Sequence, residues 1–136
     1  MLSIFDSPAL SIGFDEENRW LYAEWKGAHT QESVQACCLQ LLDTLRAWPC
    51  HKVLNDNTGV TDITMQLTHY GLRWLEAMRR AGMQHLAWVP PSSLPSLPTV
   101  ESTLRTIARP HVATFSDLAS AYRWLQLQQR VPLSAH

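Results

Sequence analysis

Residues 52–60 read KVLNDNTGV, and the fold turns on how this stretch is read. Val53 and Leu54 begin like a buried strand, and four hydrogen-bonding side chains follow them: Asn55, Asp56, Asn57 and Thr58. The abrupt change of polarity predicts a central strand over 52–56 that runs into a loop, NTGVTDIT, over 57–64. Upstream, Val34, Cys37, Cys38, Leu41, Leu42 and Leu45 recur at helical spacing behind Thr30, a side chain suited to an N-cap. Pro49 closes that helix, because the residue before a proline is pushed out of the helical region. Downstream, Leu67, Tyr70, Trp74, Leu75 and Met78 form a second apolar stripe, with Gly82 placed as a C′ residue. A strand between two such helices belongs to a sheet built by crossovers.

Further out, LSIGF (10–14) and RWLYAEWKG (19–27) alternate with period two around a polar DEEN, which predicts a hairpin. HLAWV (85–89) has the continuous apolar character of a strand covered on both faces. The proline-rich PPSSLPSLP (90–98) reads as a loop, followed by a short helix from about Thr99 that carries Val100, Leu104 and Ile107. HVATF (111–115) is the last strand, and Ser116 is placed to cap a final helix bearing Leu118, Ala121, Tyr122 and Leu125. The element order is ββαβαβαβα. It predicts a single α/β domain over 1–136, with its core at about 10–128, about five mainly parallel strands, one of them antiparallel, and four helices.

Composition narrows the function classes. A chain of 136 residues with 46% hydrophobic and 17% charged residues is sized for one buried core. Net charge is −1 without a basic run, so the counterion release that drives nucleic-acid binding has no source. Cys37, Cys38 and Cys50 are odd in number and lack C-x-x-C spacing, which speaks against a disulfide framework and fits the reducing cytoplasm. The first residues carry no basic n-region, and no apolar run approaches membrane-spanning length.

The element order resembles the STAS superfamily of bacterial anti-sigma-factor antagonists and its CRAL-TRIO-like lipid-binding relatives. The hairpin ending LYAEWKG, the strand KVLNDNTGV, then LAWV and HVATFSDLASAYRWL are similar to small bacterial STAS-like proteins, over about residues 10–128. The resemblance implies a D-S-S-G-type segment after the central strand, whose serine accepts phosphate where a helix N-terminus favours an anion. Here that region reads TDITMQL (61–67), and no serine occurs between Cys50 and Ser92. Thr61 and Thr64 are the hydroxyls left there as possible phosphorylation sites.

Asn55, Asp56, Asn57 and Thr58 are candidate ligand-binding residues, because open α/β sheets bind ligands beyond the carboxyl ends of their strands. Turn chemistry is the alternative, since Asx side chains bond the backbone two residues on. Trp74 and Trp88, with Leu94 and Leu97 of the proline loop, are candidate walls of an apolar pocket; the alternative for them is core packing. His51, His85 and His111 all precede strands, which puts them at the amino-terminal edge without metal-ligand spacing. No nucleophile elbow, P-loop or dinucleotide fingerprint occurs, and no catalytic residue, metal or cofactor is expected. The expectation is a non-enzymatic STAS-like domain that binds a small, apolar or lipid-like ligand or acts in regulation. The alternative is a protein-interaction module of the antagonist type, without the usual phosphoserine; a homodimer is compatible with the tryptophan surplus.

Overall fold

Six strands form one mixed sheet whose spatial order equals the chain order: β1 (Leu2–Asp6), β2 (Leu10–Asp15), β3 (Trp20–His29), β4 (Lys52–Ile63), β5 (His85–Val89) and β6 (His111–Thr114). The computed structural model describes residues 1–63, 69–91 and 107–130. Three helices occur among the described residues, α1 (Gln31–Ala47), α2 (His69–Arg80) and α3 (Leu118–Leu127). β1, β2 and β3 pair antiparallel, and β3 through β6 pair in parallel. The expected five strands with one antiparallel partner are thus corrected to six, with two antiparallel pairings.

The additional strand is β1. Its register shifts between Ser3 and Phe5, so the adjacent Ile4 and Phe5 are both partly buried against the core. That bulge erases the period-two signal by which a strand is recognised. The expected helix from about Thr99, and most of the proline loop, lie outside the described residues.

The first crossover helix follows its sequence signals. Thr30 Oγ1 accepts the Ser33 N–H at 3.2 Å, and the Ser33 hydroxyl accepts the Thr30 N–H at 2.9 Å, a reciprocal cap. All six residues of the α1 stripe are buried. α2 ends in a Schellman motif: the Gly82 N–H bonds Arg79 O, the Met83 N–H bonds Met78 O, and Gly82 has φ +115°. The cap of α3 is Asp117 rather than Ser116. The Asp117 carboxylate accepts both the N–H and the hydroxyl of Ser120, at 2.8 and 2.9 Å.

The helices divide between the faces of the sheet. Leu41 and Leu45 of α1 and Leu75 and Met78 of α2 pack on Ile12, Leu21, Ala23, Val53 and Leu86. On the opposite face, Ala121 and Leu125 of α3 pack on Trp20, Leu54, Ala87 and Val89.

The largest departure from expectation is in β4. The polar stretch does not end the strand; β4 continues for 12 residues, and the loop expected over 57–64 is strand as far as Ile63. Opposite Trp25 of β3, β4 places two residues, Asn57 and Thr58, between the pairs Glu24↔Asp56 and Lys26↔Gly59. This bulge resets the alternation. Val53 faces α1 and α2, and uninterrupted alternation would turn Val60 to the other face; instead Val60 is buried in the same cluster as Val53.

Candidate functional site

Asn55, Asp56 and Asn57 are buried at 7%, 3% and 6% exposure, in the middle of a sheet. Leaving one such group without a partner costs about 1–3 kcal/mol, so each must find one nearby. The partners are aromatic donors on the two neighbouring strands. The Trp25 indole N–H donates to Asn55 Oδ1, reaching diagonally from the Ala23↔Asn55 pair. The Trp88 indole N–H donates to Asn57 Oδ1 at 3.1 Å from the β5 side. On the α3 face the Tyr22 hydroxyl donates to Asp56 Oδ2. Asp56 Oδ1 accepts the Thr58 N–H at 2.9 Å and the Thr58 hydroxyl at 2.7 Å, which fastens the bulge. The bond from Asp56 to the backbone two residues on is the Asx geometry of turns, placed here inside a strand.

Burial, and then the Asp56 carboxyl and the Glu24 charge, push the Tyr22 phenol far above its ordinary value of 10.0. A group whose folded pKa is raised gives stability that is fully present below its unfolded value and is lost as pH climbs through the folded one. Alkaline titration of phenolate absorbance should therefore show Tyr22 ionising last, or only with unfolding. The Tyr22→Phe variant should lose that late phase and show a flatter decline of stability above about pH 10.

Of the remaining candidates, Thr58 and Trp88 belong to this network, through Asp56 and Asn57, whereas Trp74 lies apart from it. Thr58 and Thr61 are exposed on β4, and Thr64 lies outside the described residues. Trp74 is spent elsewhere, its indole N–H donating to Cys38 O at 2.8 Å, while Tyr70 donates to Gln35 O at 3.2 Å. These two bonds run from α2 to the α1 backbone and hold the helices side by side. Trp88 is half-buried at the carboxyl end of β5. Leu94 and Leu97, the other two expected walls of the pocket, lie outside the described residues.

Burial, followed by the neighbouring Cys37, pushes the Cys38 thiol up to about 12, and burial raises Cys37 and Cys50 as well. Thiols so placed stay protonated and are poor nucleophiles. Among the described residues no group of three or more His, Cys, Asp or Glu side chains is arranged to hold a metal ion. No helix among them is long and apolar enough to cross a membrane.

Sequence reasoning missed Tyr22 and Trp25 as partners of the polar stretch. The usable signal was hydrogen-bonding aromatics in LYAEW and LAWV, on the strands flanking three buried amide and carboxyl groups.

A three-stranded antiparallel entry, three parallel strands and helices on both faces match a solved structure of an uncharacterised protein from Shewanella loihica PV-4. That protein is of the DUF3478 family and is described as having a SpoIIAA-like fold. The superposition has a TM-score of 0.58 and covers 92% of this chain and 98% of that one, at 18% sequence identity. This chain has the SpoIIAA-like fold. No protein-family profile matches it, and neither does any curated protein sequence. The STAS-like architecture expected from the element order is therefore the one observed, and at this identity the likeness is one of fold alone.

Proposed function

We propose that this SpoIIAA-like chain is a non-enzymatic interaction module that docks an acidic partner protein on the outer face of α1 and α2. The observation that carries the reading is a groove of about 500 Å³ between the helices, lined by Arg46, Arg73, Glu76, Ala77, Arg80 and Ala81. Hydrogen bonds from Arg79, with help from Arg80, hold Glu76 down at about 2, so its charge is present throughout the physiological range and is already matched by two arginines. Arg73 has no ion pair among the described residues, and Arg46 stands 3.8 Å from an exposed Asp43. Leu39 and Leu72 are exposed on the same two helices, at 55% and 36%. Apolar contacts beside a net positive groove suit a partner that presents carboxylates around an apolar anchor. The three thiols, free of disulfides, are in keeping with a cytoplasmic protein.

The test is affinity capture from native extract with the wild-type chain and with an Arg46→Glu/Arg73→Glu variant. The reading expects a stoichiometric partner whose binding weakens with salt and falls at least about tenfold in the variant. A partner held equally by both, or sedimentation showing only self-association through this face, overturns it.

A second reading, binding of a small and partly apolar molecule at the carboxyl end of the sheet, is supported by one feature. β4 continues beyond its last pair with β5, Asp56↔Val89, beside the half-buried Trp88. Native mass spectrometry after incubation with a lipid extract should then detect a bound species that Trp88→Ala loses; an empty spectrum removes this reading.

A further inference from the structure

At the opposite end of the sheet the register draws Trp20, Lys52, His85 and His111 into one row across β3, β4, β5 and β6. Trp124 of α3 packs on this row, with its ring 5.1 Å from His111 and 6.0 Å from His85, and His51 stands 6.3 Å from His85. The row is polar and largely covered: Trp20, Lys52 and His85 are 1%, 9% and 6% exposed, and His111 at its end is open to solvent. Lys52 forms no ion pair among the described residues; its ammonium lies 5.6 Å from the centre of the Trp20 ring. Three buried nitrogens nearby also lack hydrogen-bond partners: Trp20 Nε1, His51 Nδ1 and His85 Nδ1. Buried polar atoms without partners call for an occupant, and an ammonium beside them without an ion pair favours an anionic one.

Apart from Asp15, the charged and titratable groups facing this cluster are basic. β4 contributes Lys52, with His51 just before it; β6 contributes His111; Arg130 follows α3, and its charge acts on His51. Asp15 extends the row onto β2, but its carboxylate is bound by the Asn18 side chain and by the N–H groups of Glu17 and Asn18. We infer that this amino-terminal row is a binding site for a small oxyanion, held by the Lys52 ammonium, the Trp20 indole N–H and a protonated His85.

The tautomer of His85 sets the pH dependence. Its Nε2 lies 3.1 Å from the Gln129 carbonyl, which can only accept, so Nε2 carries the proton and Nδ1 of the neutral ring is a bare lone pair. An anion beside Nδ1 needs a donor there, so one proton is taken up from solvent with each anion bound. Burial and the charges of His111 and Lys52 oppose that proton in the empty site, and the anion offsets them. The site is on the opposite face of the sheet from the α1–α2 groove and does not depend on what that groove binds.

The probe is inorganic sulfate, whose charge is constant over the range, added to the full chain and followed by tryptophan fluorescence and histidine ring NMR signals. Binding should weaken roughly tenfold per pH unit from about pH 7 to about pH 8 and strengthen as the pH falls below that range. Acetate titrated in parallel tells a carboxylate site from one for tetrahedral oxyanions. Lys52→Met should weaken sulfate at least about tenfold at the lower pH. His85→Gln keeps a donor towards Gln129 but cannot titrate, and should abolish the pH dependence. Non-saturating or pH-independent binding by the wild-type chain, or equal binding by Lys52→Met, overturns the inference. The wild-type pH profile decides by itself if a variant does not fold.

Discussion

Replacing Trp20 by alanine should cost about 3–5 kcal/mol of folding stability, the range for emptying a fully buried indole site. Trp20 is 1% exposed and touches both layers of the smaller core: it packs edge-on against Tyr122 at 5.2 Å and joins Leu54, Ala87, Val89, Ala121 and Leu125. Nothing in this layer can slide into the space, because Ala121 and Ala87 are small and fixed on their backbones. Trp20→Phe separates packing from polarity. Its indole N–H has no partner in the protein, so phenylalanine should lose only part of the volume and no hydrogen bond, for about 1–2 kcal/mol. Urea melts of the two variants in anion-free buffer, with unchanged m-values, check the contrast. Near-equal losses would show that the indole N–H matters more than the packing.

Asp56→Ala carries the second largest expected effect, about 2–3 kcal/mol, through polar groups rather than volume. One carboxyl group serves the Tyr22 hydroxyl, the Thr58 hydroxyl and the Thr58 N–H, and its loss leaves a half-buried phenol without its acceptor. The bulge would also lose its fastening, which bears on where Val60 points. Asp56→Asn keeps an acceptor oxygen and should cost less than half as much. A double-mutant cycle with Tyr22→Phe should return a coupling of about 1 kcal/mol or more between the two side chains. Additivity within experimental error would mean that the phenol and the carboxyl act independently.

The helices were legible from the chain because their signals are local. The Thr30 cap, the stripe from Val34 to Leu45 and the Gly82 terminator each act within a few residues, and each is found where it was expected. The alternation of Leu10, Ile12 and Phe14, and of Leu21, Ala23 and Trp25, likewise mapped onto buried positions. What failed was non-local. Asn55, Asp56 and Asn57 look like a strand terminus because burying such groups costs free energy unless donors face them. Those donors, Trp25, Tyr22 and Trp88, stand 30, 34 and 31 residues away in the chain. β1 was missed for a different reason: its bulge placed two apolar neighbours inward and so hid its period. The candidate site suffered most, since a polar run placed on a loop invites a ligand, whereas the same run inside a sheet already has partners for much of its hydrogen-bonding capacity.

The strand order carries a consequence for how the chain is made. Because β1 through β6 lie in space as they lie in sequence, each strand can dock on one already in place as it leaves the ribosome. No strand has to be threaded between two earlier ones, and no gap must be held open for a late arrival. Assembly is a one-way zipper from amino to carboxyl end. Its half-finished forms each expose one growing edge, and the edge left after β4 presents the buried amides and carboxyl of Asn55, Asp56 and Asn57, which discourage a foreign strand until β5 brings Trp88 to Asn57.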